Sequence, residues 1–172
     1  MPNWCMNNVV LKHTKDKIDF LESQLREKNG NGFFSILYPR PVEEEENWYD
    51  WNSNNWGTKW DANIDVESDM MIRLDDETLE LRFDTAWGPP IDFYNFLFED
   101  GWDVTAKYHE PGMAFIGEYD NSIDDCWEYD FSDEETLNAI PDDLREWSGI
   151  DEELEFYKES YQENEDDENE TH

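Results

Sequence analysis

The clearest regular pattern near the start of the chain has helical period. Ile18, Leu21 and Leu25 recur at i, i+3 and i+7, which predicts a helix over residues 17–28, stopped by Asn29-Gly30-Asn31-Gly32. Ahead of it, Asn7-Asn8-Val9-Val10-Leu11 reads as a strand. Behind it, the short apolar run from Phe33 to Tyr38, closed by Pro39 and Pro41, reads as a second strand. Glu43 to Asp61 reads as a long loop rich in Trp and Asn. Residues 63–74 and 78–84 read as strands around a turn at Asp75-Asp76-Glu77; in the latter, Leu79, Leu81 and Phe83 alternate with Glu80, Arg82 and Asp84. Pro89-Pro90 opens a mostly apolar helix from Ile91 to Glu99, because proline's missing N–H costs nothing in a first turn. Trp102 to Tyr108 and Met113 to Tyr119 read as two strands around Glu110-Pro111-Gly112. This order predicts an α+β fold, an antiparallel sheet with helices on one face. Its expected core includes Leu11, Leu21, Leu25, Leu81, Phe83, Phe96 and Phe115.

The pattern changes after residue 120. Ser132-Asp133-Glu134-Glu135 has the form of a capping box, with Ser132 as the expected cap of a helix carrying Leu137 and Ile140. Pro141 interrupts it, and Leu144 and Trp147 continue an apolar stripe to Ser148-Gly149. In a further helix Ile150, Leu154, Tyr157 and Tyr161 share one face. Asp151, Glu155, Glu159 and Glu163 lie on the opposite side, each four residues from the next. Each such like-charge pair destabilises a helix by roughly 0.2–0.5 kcal/mol. Folding alone gives no reason for this ladder. The almost purely polar, acidic stretch 163–172 is expected to be disordered. The organisation read from the sequence is a domain over residues 1–120, an acidic helical extension over 121–162 and a disordered tail over 163–172.

Composition sharpens this picture. The chain has 172 residues with 46 acidic and 12 basic side chains, a net charge of −34. Residues 1–30 carry 5 basic and 4 acidic groups, whereas residues 118–172 carry 2 and 23, so the charge gathers at the C-terminal end. Hydrophobic residues are only 37%, but aromatics reach 16%, and large rings can still fill a core. The charge argues against a nucleic-acid ligand and against docking on an anionic membrane. No apolar run approaches the roughly 18 residues of a membrane span. The N-terminus lacks the pattern of a signal peptide, and the only cysteines, Cys5 and Cys126, make no disulfide framework; a reducing cytoplasm, that of a host cell, is expected.

Four segments carry a family resemblance: Pro2-Asn3-Trp4-Cys5, Asn55-Trp56-Gly57-Thr58-Lys59-Trp60, Thr85-Ala86-Trp87-Gly88-Pro89-Pro90, and Tyr108-His109-Glu110-Pro111-Gly112 followed by Phe115 and Gly117. Together, in this order over residues 1–120, they resemble the YubB-type ferredoxin-like domain family of phages and plasmids. The resemblance implies a ferredoxin-like α+β fold and a mobile-element origin, and no activity. The chain departs from the family pattern at Glu43-Glu44-Glu45-Glu46 and after Asp120.

Candidate chemistry is sparse. His13, His109 and His172 are isolated, and no zinc spacing occurs. Residues 120–125 hold carboxylates without the glycine and distal Glu of an EF-hand. No nucleophile elbow, P-loop or dinucleotide fingerprint is present. No cofactor and no enzymatic activity are therefore expected. Trp48, Trp51, Trp56 and Trp60 could stack bases or sugars, anchor a protein partner, or simply cover one end of the core. The acidic surface could serve only solubility or salt adaptation. Its sharper reading is nucleic-acid mimicry. Duplex DNA carries one charge per about 1.7 Å, so −34 corresponds to about 58 Å of duplex. A compact chain of this length is only about 40 Å across. The leading expectation is a phage-encoded, non-enzymatic inhibitor occupying the groove of a basic nucleic-acid-binding host defence protein. Its phosphate surrogates would be Glu43, Glu44, Glu45, Glu46, Asp142, Asp143, Asp151, Glu152, Glu155, Glu159 and Glu163. The alternatives are an adaptor that binds a protein through the Trp-rich loop, and a small-molecule or nucleotide-binding enzyme.

Overall fold

The structure is a computed structural model describing the backbone of residues 1–170 and the side chains of residues 1–161. In chain order it contains β1 (Trp4–Lys12), α1 (Lys15–Glu27), α2 (Phe33–Leu37), a 3-10 turn at Val42–Glu44, α3 (Trp48–Asn55), β2 (Met71–Asp75), β3 (Thr78–Ala86), α4 (Ile91–Glu99), β4 (Asp103–Glu110), β5 (Phe115–Asp120), β6 (Ile123–Glu128), α5 (Glu134–Asn138), α6 (Asp142–Ser148) and α7 (Ile150–Glu170). The chain divides into two compact units, Met1–Cys126 and Trp127–His172.

The first unit is built on β1. Cys5, Asn7, Val9 and Leu11 alternate inward along it, the periodicity of a strand with one buried face. β1 pairs antiparallel with β3, from Trp4 opposite Ala86 to Lys12 opposite Thr78, and with β4, from Met6 opposite His109 to Lys12 opposite Asp103. The sheet order is β2-β3-β1-β4-β5-β6. The segment β1-α1-β2-β3-α4-β4 with strand order β2-β3-β1-β4 is the ferredoxin-like arrangement, and β5 and β6 extend it at one edge. Ile18, Leu21 and Leu25 of α1 and Phe93, Tyr94 and Leu97 of α4 join Val9, Leu11, Leu79, Leu81 and Phe83 in a single core. Phe33 and Phe34 complete it, with ring centroids 5.4 Å and 5.7 Å from Phe83. Of the expected core positions, Phe96 and Phe115 are only half-buried. Phe96 instead stacks on Tyr38 at 3.7 Å between centroids.

Four segments differ from the sequence expectation. Phe33–Leu37 is a helical turn rather than a strand. The Asp61 carboxylate accepts hydrogen bonds from the backbone N–H groups of Phe34 (2.7 Å) and Ser35 (3.0 Å), capping α2 from far along the chain. The expected loop over 43–61 holds α3, in which the buried Asn52 donates to the Lys59 carbonyl (2.9 Å) and accepts from Arg40 (2.9 Å). The expected strand over 63–74 is only Met71–Asp75. Upstream of it, Ile64 lies against Gly30, whose N-terminal neighbours end α1; a Cβ on Gly30 would fall 1.7 Å from the Ile64 carbonyl oxygen, and Gly30 has φ +77°. Residues 123–128, in the region expected to be helical, form β6. It follows a two-residue turn in which Asn121 and Ser122 have φ of 44° and 81°, the geometry of a tight hairpin.

The second unit is helical. Asp133, not Ser132, caps α5 by accepting from the Glu135 N–H (3.0 Å), while the Ser132 hydroxyl donates to Asp130 (2.7 Å). Gly149 (φ +72°) ends α6 in the left-handed conformation that lets α7 begin at once. Leu137, Ile140, Leu144 and Ile150 are buried. Phe131, Tyr157 and Tyr161 form a ring series with centroids 5.5 Å and 4.8 Å apart. Helix α7 runs through Glu170, whereas the charge pattern predicts disorder from residue 163; Glu and Gln are good helix formers, and repulsion between neighbours costs only tenths of a kcal/mol per pair. Thr171 and His172 lie outside the described residues.

Candidate functional site

The expected phosphate surrogates fall on three elements. Glu43 and Glu44 lie in the 3-10 turn and Glu45 and Glu46 follow it; Glu43, Glu45 and Glu46 are exposed and Glu44 is half-buried. Glu45 pairs with Arg40 at 3.1 Å, so part of this run is neutralised locally. Asp142 and Asp143 are exposed in the first turn of α6, where carboxylates favour a helix N-terminus. Asp151, Glu152, Glu155 and Glu159 are exposed on α7; Glu163 lies on the same helix, with its side chain outside the described residues. The ladder is not uniform. Asp151 is held by Arg145, with Nε at 3.0 Å. Arg145 also donates to the Leu137 carbonyl (3.0 Å), so it tethers the helices of this unit. Lys158 lies 4.0 Å from Glu134. Both basic residues of the second unit are thus engaged in ion pairs, against 19 acidic residues in 127–172.

A second constellation was not among the expected site residues. The four motifs that carry the family resemblance meet at one end of the sheet. Trp4 is the register partner of Ala86, and the Trp87 N–H donates to the Asn3 carbonyl (2.8 Å). Thr58 Oγ1 donates to the Ala86 carbonyl (3.2 Å). Buried Asn7 donates to Thr85 Oγ1 (2.8 Å), which donates onward to the Gly88 carbonyl (2.6 Å). The buried Glu110 carboxylate accepts from the N–H groups of Gly112 (2.8 Å) and Met113 (2.9 Å), folding the β4–β5 turn against Asn3. Cys5 lies within this network. Burial, then the nearby Glu110 and Asp84 carboxylates, push its thiol far up, so it stays protonated and is not a nucleophile.

This scaffold displays aromatic rings to solvent. Trp56 is core and donates to the Tyr38 carbonyl (3.0 Å), so that member of the Trp-rich segment is structural. Trp4, Trp60 and Trp87 are 49%, 39% and 51% exposed. Trp87 has φ +70°, a backbone conformation that is costly for a bulky residue and clusters at functional positions. Trp4 and Trp60 stand 6.1 Å apart at an interplanar angle of 31°. They border a cavity of about 410 Å³ whose walls include Asn63, Met70, Asp61 and Asp84. Asp61 is occupied by its bonds to α2. Desolvation alone holds the Asp84 carboxyl above the usual carboxylate range. Asp84 is exposed on β3, as the alternation along that strand predicts; its place beside Trp4 and Trp60 is set by the tertiary structure. The cleft at the opposite end of β1 mixes Lys12, His13 and Lys15 with Asp75, Asp76, Glu77 and Asp103, so carboxylates outnumber its lysines.

No family model matches the chain, and no curated protein matches it. Among solved structures, the chain is similar to protein api92 from Yersinia pseudotuberculosis, of family DUF1281, with 24% identity and a TM-score of 0.35. That likeness covers 60% of this chain and 35% of the other, so the chain spans about a third of that protein's length.

Proposed function

We propose that the chain is a phage-encoded, non-enzymatic nucleic-acid mimic that acts in the host cytoplasm by filling the groove of a basic DNA- or RNA-binding defence protein. The four sequence motifs further suggest that its first unit is a YubB-type ferredoxin-like domain from a mobile element. The observation that carries the functional reading is the uncompensated acidity of the second unit. Its 19 acidic residues face two basic ones, and both of these are spent on internal pairs. The surplus of 17 equals the charge of about 29 Å of duplex. Helix α7, with 21 residues, is about 32 Å long. The helix itself holds 11 acidic residues and Lys158, a surplus of 10 or about half the charge density of duplex, and Glu152, Glu155 and Glu159 are exposed on it.

Glu155→Lys/Glu159→Lys tests this reading. The double variant removes repulsion along α7, so circular dichroism should show helicity kept or slightly raised. It should displace labelled duplex from the target at least tenfold less well than the parent. Undiminished displacement would move the mimetic surface away from α7. The adaptor reading keeps one specific support: Trp48 and Trp60 of the Trp-rich loop are exposed.

A further inference from the structure

The cavity beside Trp4 and Trp60 has a chemistry that the acidic helix does not share. Trp4, Trp60 and two carboxylate residues, Asp61 and Asp84, border it. Asp84, an exposed position of β3, makes no ion pair within 4 Å among the described residues, and partial desolvation raises its carboxyl pKa. The other wall carboxylate, Asp61, is saturated by Phe34, Ser35 and Ala62 N–H groups. Trp60 already shows its affinity for a cation, since Lys59 Nζ stands 4.4 Å from its ring centroid, outside the cavity wall.

We propose that this cavity is a recognition site for a single arginine side chain presented by a partner protein. The indole faces of Trp4 and Trp60 receive the flat guanidinium, and Asp84 supplies the counter-charge. Arginine fits better than other occupants for three reasons. A planar, weakly hydrated guanidinium stacks on indoles while still donating to a carboxylate. The field of a net −34 chain concentrates cations and repels phosphates and other anions. A neutral sugar could stack on the rings, but it would bring no counter-charge to Asp84. The surrounding network of Asn7, Thr85 and Gly88 fixes the end of β3, so the cavity wall is built before any ligand arrives. This inference rests on the first unit alone and is independent of the reading of α7.

The test is a titration of the full chain at 0.15 M salt with N-acetyl-arginine methylamide, following the indole N–H signals of Trp4 and Trp60 by NMR. Matched titrations use the lysine analogue, the citrulline analogue (a neutral isostere of arginine) and methyl glucoside. The arginine probe should shift both indole signals saturably. Citrulline and glucoside should bind at least tenfold more weakly, and lysine should fall between. Asp84→Asn should weaken arginine at least fivefold, whereas Asp50→Asn, which removes an equal charge from exposed α3, should not. Trp60→Ala should abolish the response. Binding of arginine should also lower the Asp84 pKa. A non-saturable response, citrulline or glucoside matching arginine, or Asp84→Asn behaving like Asp50→Asn would each overturn the proposal. None of these outcomes bears on duplex displacement, so failure here and failure of the mimic are read separately.

Discussion

Phe83 lies where the sheet meets α2, 2% exposed and in ring contact with Phe33 and Phe34. Phe83→Ala should lower the unfolding free energy by about 3–5 kcal/mol, measured in urea, because the surrounding rings cannot close the space. His109 gives a pH signature. It is fully buried, and burial holds its imidazole down at about 4. The unfolded chain takes up a proton near pH 6.5 that the folded one refuses. The stability that neutral His109 confers is therefore complete above about pH 6.5 and falls as pH drops towards 4, by up to about 3 kcal/mol. Urea unfolding at pH 7.5 and 5.5 should show a loss of about 1 kcal/mol in the parent. His109→Gln should flatten that difference whatever its own cost. An unchanged pH slope would mean that His109 is not held neutral.

At the scale of elements, what the sequence showed and what it hid divide along a physical line. Elements with a clear local signal were legible: α1 and β3 lie where 3.6-residue spacing and alternation placed them, and α4 where Pro89-Pro90 opens a helix. Elements fixed by distant partners were not. A five-residue apolar run such as Phe33–Leu37 has no period that separates strand from helix, and its cap is Asp61, some 26–27 residues away. Asp61→Ala should thus destabilise the first unit by about 1–2 kcal/mol, readable as a shift in the urea midpoint with unchanged slope. β6 was hidden because its side chains are mostly exposed and its turn is Asn121-Ser122 rather than the usual Asn-Gly. The acidic rows were legible residue by residue from spacing alone. The aromatic cavity was not, because Trp4, Trp60 and Asp84 come together only through the pairing of β1 with β3 and the course of the chain after α3.

At the scale of the whole molecule, the dominant fact is a net charge of −34 carried by 172 residues. The basic residues pair both locally, as Lys15 with Asp19 (2.6 Å), and across the fold, as Arg73 with Asp19 (2.9 Å) and Glu22 (2.8 Å), but 12 of them cannot offset 46 acidic residues. Self-repulsion opposes the compact state, and salt screens it over a Debye length of about 10 Å at 0.1 M. The melting temperature should therefore rise by about 3 °C or more between 10 mM and 0.3 M NaCl, with each kcal/mol moving it by about 2–4 °C. A flat or falling curve would mean that the carboxylates are compensated locally.

Charge alone would make any polyanion a competitor of DNA, so the decisive comparison holds charge constant. A fluorescein-labelled duplex of 17 base pairs is bound in turn to each member of a panel of basic nucleic-acid-binding proteins, and its displacement is followed by anisotropy. The competitors are the full chain and a poly-glutamate of equal net charge, at equal concentrations and salt. The account predicts that the chain displaces the duplex from one or a few members at concentrations at least tenfold below those at which poly-glutamate acts. If the chain and poly-glutamate displace the duplex alike from every member, or if the chain displaces it from none, the arrangement of carboxylates on its helices carries no recognition and the mimic reading is contradicted.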